Sequence, residues 1–139
     1  MTIEETKNRD EIVACFSTMA ELRPQYDVES FTRQVRKQEL KGYHLTRGLV
    51  DGEVVCVTGF WLRENLAWGC HVYVDDLVTK AEHRSAGYGE AMLEWLLAWA
   101  RKRECAELHL DSGVQRFGAH RFYLNHRMDI TSHHFAIQL

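Results

Sequence analysis

The sequence predicts an α/β domain in which a mixed, largely antiparallel sheet carries helices on both faces. Three observations lead there. Apolar residues recur at helical spacing in four separate stretches and alternate at period two in the stretches between them. Asp51-Gly52 sits between two alternating runs, the strongest two-residue hairpin signal in the chain, so those runs pair antiparallel. A helix separates the run at 68–79 from the apolar run at 106–111, so those two strands are expected to lie parallel across a right-handed crossover.

Taken in order, Asn8 is placed to cap a helix through Ile12, Val13, Phe16 and Met19 that stops before Pro24. Asp27 caps a second helix through SFTRQVRKQEL, with Phe31, Val35 and Leu40 as its apolar face and Gly42 closing it. Strands follow at 43–50 and 53–62, with a turn at 63–65 and a further strand from about 68 to 79. A glycine-bearing loop leads into a helix to about 103, in which Met92, Leu93, Leu96, Leu97 and Ala100 make the sheet-facing stripe. Trp95 and Trp99 widen that stripe and are read as core. A strand at 106–111, a short helix at 117–126 and a last strand near 130–139 complete the chain, expected to be one domain over 1–139.

Composition narrows the function. With 139 residues, 45% hydrophobic and 27% charged, the chain can supply the core of one domain. Net charge is −3 and the basic residues are spread out, which argues against nucleic acid as a partner. No run of 18 or more apolar residues occurs and the N-terminal stretch MTIEETKNRDE is polar, so neither membrane insertion nor export is expected. Cys15, Cys56, Cys70 and Cys105 form no C-x-x-C pair and lie in apolar segments, the pattern of buried thiols in a reducing cytoplasm.

The stretch TKAEHRSAGYGEAMLEWL loses its side-chain bulk around Tyr88 and becomes helical at once. Helix N-termini carry unpaired N–H groups and the positive end of the helix dipole, so a bare loop there is an anion cradle; alternatively, Gly87 and Gly89 only shape the turn. A Walker loop is absent, and a dinucleotide fingerprint would need a glycine where Met92 stands.

Arg84-Ser85-Ala86-Gly87-Tyr88-Gly89 fits [Q/R]-x-x-G-x-[G/A] between a strand and an amphipathic helix, and with the order of the other elements it resembles the GNAT superfamily of N-acyltransferases. In residues the likeness is strong from about 74 to 123. It implies a β-α-α-β-β-β-α-β-α-β order and acetyl-CoA as cosubstrate. The pantetheine arm would then run along Leu77, Val78 and Thr79, with the pyrophosphate on the backbone of Arg84, Ser85, Ala86, Gly87, Tyr88 and Gly89.

The same resemblance points to the chemistry. Phe122-Tyr123, with Ala119 in register, is similar to the family's A-x-x-F-Y segment, whose tyrosine protonates the departing thiolate; the plain alternative is a core tyrosine held by one hydrogen bond. Tyr73-Val74-Asp75-Asp76-Leu77-Val78 resembles the E-D-Φ-Φ-V run of diamine acetyltransferases, with Asp75 in place of their glutamate. Strand alternation puts Asp75 and Asp76 on opposite faces, so one faces the site; a strand-end or bulge acid paired with a nearby arginine is the other reading. His120, His126, His133 and His134 lack metal-ligand spacing, so no metal is expected. His71 is read either as a pocket residue or as an ordinary surface histidine.

These readings combine into direct acetyl transfer from acetyl-CoA to a primary amine of a small molecule or peptide. The alternative is a non-catalytic coenzyme A-binding module, and a dinucleotide-binding protein is a third option. The resemblance also implies a homodimer that completes the acceptor pocket.

Overall fold

The computed structural model describes all residues 1–139. The chain runs β1 (Thr2–Glu5), α1 (Arg9–Ala20), α2 (Val28–Glu39), β2 (Tyr43–Val50), β3 (Glu53–Asn65), β4 (Gly69–Thr79), a 3-10 turn (Ala81–His83), α3 (Tyr88–Arg101), β5 (Glu107–Leu110) and α4 (Phe117–Asn125). It divides into two compact units, Met1–His109 and Leu110–Leu139.

In the first unit the helices begin where polar caps were expected. The Asn8 side chain accepts from the Glu11 N–H, and Asp27 forms a reciprocal capping box with Ser30. Each cap satisfies an N–H that would otherwise be unpaired at the helix start. Leu40 proves to be the C-cap of α2 and is exposed, so the buried face of that helix rests on Phe31, Thr32 and Val35.

One sheet runs in the order β1-β2-β3-β4-β5, and its first three pairings are antiparallel. Asp51 and Gly52 both take positive φ, 49° and 82°, the double left-handed turn that matches strand twist and joins β2 to β3. The second hairpin is longer than the sequence predicts. β3 continues through Arg63 to Asn65, because Arg63 lies over two rings and the Asn65 side chain accepts the Trp68 N–H at 2.7 Å, which moves the turn to 66–68.

β5 meets β4 where the Ala106 N–H donates to the Cys70 carbonyl, the N-terminal end of both strands, as a parallel crossover through α3 requires. β5 has four residues and β4 eleven, so the C-terminal half of β4 extends past the end of β5.

Helices α1 and α2 bury Ile12, Cys15, Met19, Phe31 and Val35 against Tyr43, Leu45, Val57 and Val78 on one sheet face. On the other, α3 packs Met92 against Val55 and Cys56. Here Phe60 meets Trp99 edge-on at 4.8 Å and Trp95 at 6.2 Å, with His44 stacked on Phe60 at 5.1 Å, so both tryptophans belong to the core as read.

The second unit holds the end of β5, α4 and a segment with no regular structure beyond it, so the strand expected at 130–139 does not form. The physical reason is a slip in pattern. Ile130 has the opposite parity to Phe135, Ile137 and Leu139, with polar Ser132-His133-His134 between, so no single face is apolar; all four apolar side chains are exposed.

Candidate functional site

The glycine loop is held from below. Glu21, the C-cap of α1, accepts the Ala81 N–H with both carboxylate oxygens at 2.9 and 3.0 Å and pairs with Arg84 at 3.1 Å. The Arg84 guanidinium also donates to the Thr79 carbonyl at 3.2 Å, so its side chain braces the loop and its backbone is what the loop can offer a ligand. Ser85 and Gly87 take positive φ, 65° and 82°. Gly87 is the N-cap of the 14-residue helix α3 and contributes no side-chain hydrogen bond to it. No atom lies within 4 Å of the point where a side chain at Gly87 would begin. Ser85, Ala86 and Gly87 are exposed, while Tyr88 packs on the Val55–Cys56–Met92 cluster. Bare N–H groups, dipole and open space converge on one point, the chemistry of an anion cradle.

Just before the loop, Leu77 packs on the α3 side of the sheet and Val78 on the α1–α2 side. With those side chains committed, the segment presents backbone at the edge that β5 does not reach.

Farther back, a β-bulge corrects the sequence reading. Gly59 pairs with Asp76 and Phe60 with Val74, which leaves Asp75 as an extra residue in β4. Alternation fails there, and the two carboxylates are bound by side chains of the same face instead of opposite ones. Trp61 donates its indole N–H to Asp75 at 2.6 Å, and Tyr43 donates its hydroxyl to Asp76 at 2.8 Å; Tyr43 and Trp61 are register partners with ring centroids 5.3 Å apart.

Arg23 closes the network from the end of α1. It pairs with the Asp76 carboxylate at 2.7 Å and donates to the Asp75 carbonyl at 2.9 Å. The Thr58 hydroxyl takes the Asp76 carbonyl at 2.8 Å, so the carbonyls released by the bulge have donors. Burial, reinforced by the neighbouring Asp76 charge, holds the Tyr43 phenol well above its ordinary pKa, so it stays a donor. Gly59 makes the arrangement possible: a Cβ there would lie 1.6 Å from the Tyr43 hydroxyl and 2.9 Å from Asp76 Oδ2. Asp76 is buried with its charge matched by Arg23, whereas Asp75 is half-buried and bonded to an uncharged indole. The structural reading of an acid paired with arginine therefore describes Asp76, and Asp75 is the better placed of the two to meet a ligand.

In the second unit Tyr123 lies on α4 and lines a cavity of about 630 Å³ with His120, Leu124, Met128 and His133. Burial raises the Tyr123 phenol, with Arg116 pulling it the other way, so it holds its proton at neutral pH. His120 and His126 each donate to a backbone carbonyl, of Gly113 at 2.9 Å and Phe122 at 2.7 Å, and His134 stands 3.3 Å from Asp111.

Sequence reasoning missed Glu21, Arg23, Tyr43, Gly59 and Trp61, which lie 14 to 63 residues from the positions they serve in the loop and bulge. It also misplaced two groups. His71 is buried, donates to the Gly69 carbonyl at 2.9 Å and packs edge-on against Trp68 and His109. Cys70 and Cys105 are half-buried with their sulfurs 3.2 Å apart, where buried thiols were expected.

Comparison with known proteins agrees with this architecture. The model of the acetyltransferase (GNAT) family matches residues 7–127. The chain is similar to the uncharacterized N-acetyltransferase YhdJ of Bacillus subtilis (strain 168), with 31% identity over 122 residues, 87% of this chain and 86% of that one. Among solved structures, ribosomal-protein-alanine N-acetyltransferase from Brucella melitensis biovar Abortus 2308 superposes with a TM-score of 0.86 over 100% of both chains at 15% identity. The aminoglycoside N-acetyltransferase AAC(6')-Iy, solved in complex with CoA, gives 0.88 over 99% of this chain and 93% of that one at 10% identity. At those identities the structures speak for the fold.

Proposed function

Since the chain belongs to the acetyltransferase (GNAT) family and is an N-acetyltransferase, we propose that it transfers the acetyl group of acetyl-CoA directly to a cationic primary amine of a small molecule or peptide. The observation that carries this reading is the bare start of α3 at Gly87, one short loop after a strand whose end outruns its neighbour. The loop backbone from Arg84 to Gly89 would hold the pyrophosphate, and the edge of Leu77, Val78 and Thr79 would pair with the amide-bearing pantetheine arm.

The Asp75 carboxylate attracts the ammonium form of the acceptor and passes its proton to water, leaving the neutral amine that attacks the thioester carbonyl. The C–N bond forms as the C–S bond breaks, Tyr123 gives its proton to the departing thiolate, and the proton that the acylated nitrogen sheds returns through water to the Tyr123 phenolate. Asp76, fixed by Arg23 and Tyr43, keeps the bulge in shape. We further place this activity in one domain over 1–139 acting in the cytoplasm, where thiols as close as Cys70 and Cys105 stay reduced. No helix is long and apolar enough to cross a membrane.

The test uses acetyl-CoA in thermal unfolding and in an assay for free thiol released by amines. Acetyl-CoA should raise Tm by mass action, and Gly87→Glu, which adds bulk and negative charge at the cradle, should abolish the rise. Tyr123→Phe should keep the rise while kcat falls roughly tenfold to a thousandfold with little change in KM for acetyl-CoA. A Gly87→Glu protein that still responds to acetyl-CoA would remove the loop from the site, and full turnover in Tyr123→Phe would leave that residue a packing role.

A further inference from the structure

β4 and β5 meet at their N-terminal ends, and beside that contact stands a pair of thiols that the acetyl-transfer reading does not use. Cys70 and Cys105 are free and half-buried, with their sulfurs 3.2 Å apart although 35 positions separate them in the chain. Both backbones are pinned. Cys70 is the register partner of Glu64 on β3, and its carbonyl accepts the Ala106 N–H at 3.4 Å. Cys105 is delivered by the turn that ends α3: Glu104 takes a φ of 59°, a conformation that a residue with a side chain resists, and the Cys105 N–H turns back onto the Ala100 carbonyl at 3.1 Å. Arg103 holds that turn in place, its guanidinium 3.4 Å from the Trp99 ring centroid and donating to the Trp99 carbonyl at 3.3 Å.

Two thiols held this way are one bond short of a cross-link. A disulfide needs its sulfurs about 2.05 Å apart, so side-chain rotation has roughly 1 Å to cover while the backbones are held. The other two cysteines do not compete. Cys15 and Cys56 are fully buried, and burial pushes the Cys15 thiol up to about 12 and raises that of Cys56. Within the pair, burial and then the Cys70 sulfur beside it push the Cys105 thiol up to about 11, so Cys105 keeps its proton and the first attack falls to Cys70.

We propose that Cys70 and Cys105 are a modification site, at which a peroxide forms a reversible disulfide that fastens the α3 crossover to β4. The Cys70 thiolate attacks one peroxide oxygen, the O–O bond breaks, and the departing hydroxide takes up the proton that Cys70 released, leaving Cys70 as the sulfenic acid. The Cys105 sulfur then attacks the Cys70 sulfur, the S–O bond breaks, and water leaves with the Cys105 proton. The two thiols give up two electrons in all, and one hydrogen peroxide becomes two waters. A dithiol reductant reverses the change by thiol–disulfide exchange. The loop so closed contains most of β4, the glycine loop and α3, so the link ties together the two ends of one continuous segment. The site does not depend on acetyl transfer.

The experiment treats the reduced wild-type chain, Cys70→Ser, Cys70→Ala and Cys105→Ser with a small excess of hydrogen peroxide at neutral pH. Free thiols are counted in denaturant, the link is located by peptide mapping, and Tm is measured before and after. Wild type should lose two of its four free thiols, Cys70 and Cys105, to a link within one chain. Its Tm should rise by on the order of 10 °C, because the link removes freedom from the unfolded chain, and dithiothreitol should reverse both changes. None of the three variants should form the link or show the rise. Should both Cys70 variants fail to fold, Cys105→Ser carries the comparison. A wild-type chain that keeps all four thiols overturns the proposal, as does one that goes on to sulfinic acid at Cys70 without a link or that links only between molecules. A Cys70–Cys105 link that lowers Tm also overturns it, because the joint would then be distorted rather than fastened.

Discussion

The glycine loop and the bulge lie on either side of Leu77-Val78-Thr79, yet they are built on opposite plans. The loop at 84–89 offers backbone: its one long charged side chain, Arg84, is turned back onto Glu21 and Thr79, and Ser85, Ala86 and Gly87 are exposed. The bulge offers side chains, each fixed by a partner from another element, Arg23 from beside α1, Tyr43 from β2, and Thr58 and Trp61 from β3. A backbone site needs only a permitted conformation and room, so most residues in it are replaceable. A side-chain network needs every member, and each member is costly to change.

The largest effect should come from breaking the bulge network at its narrowest point. Gly59→Ala places a Cβ 1.6 Å from the Tyr43 hydroxyl and 2.4 Å from its Cζ, so the ring must move and Asp76 must lose its phenol donor. Overpacking together with a lost buried hydrogen bond should cost about 2–5 kcal/mol in denaturant unfolding. Tyr43→Phe in the same background should rescue little, because Cζ remains in the way. A loss below about 1 kcal/mol would mean that β2 and β3 absorb the shift and that the network is looser than its geometry.

A middle-sized effect separates the two aspartates. Asp76→Asn leaves Arg23 without its counter-ion and should lower stability by about 1–3 kcal/mol, part of the charge being rehydrated because Arg23 is partly exposed. Asp75→Asn keeps an oxygen to accept the Trp61 N–H and should cost less than about 1 kcal/mol. In catalysis the order should reverse in cause: Asp75→Asn should lower kcat/KM for cationic amines roughly tenfold with the fold intact. Equal stability losses and no kinetic difference would make both carboxylates structural.

The same contrast explains what the sequence could tell. Helix caps at Asn8 and Asp27, the Asp51-Gly52 hairpin and the glycine loop were legible because each is a local arrangement whose residue types answer to one backbone conformation. The bulge was not. Nothing in Val74-Asp75-Asp76 says that Asp75 is the extra residue, and the cause, Gly59 making room for Tyr43, comes from two other strands. His71 and the Cys70–Cys105 pair were misread for the same reason, since their surroundings are set by β4 meeting β5 and the turn at 66–68. The expected last strand fails differently: Phe135, Ile137 and Leu139 alternate correctly, but alternation over so few residues does not supply a partner for the backbone.

The smallest effect should come from the loop itself. Ser85 holds φ at 65°, a conformation that costs a serine about 1 kcal/mol and a glycine almost nothing. Ser85→Gly relieves that strain but gives the unfolded chain more freedom, worth about 0.4–1 kcal/mol in the other direction, so stability should stay within about 0.5 kcal/mol of the parent. Acetyl-CoA affinity, read from the ligand-dependent shift in Tm, should change by less than about threefold, because the amide at residue 85 is still present and its side chain is exposed. Gly87→Ala at φ 82° is the useful counterpart: it has space for the methyl group but must adopt a backbone conformation that alanine resists, so it should weaken binding more than Ser85→Gly does. If Ser85→Gly instead costs more than tenfold in affinity, the serine hydroxyl touches the ligand, and the loop recognises its anion through side chains as the bulge does.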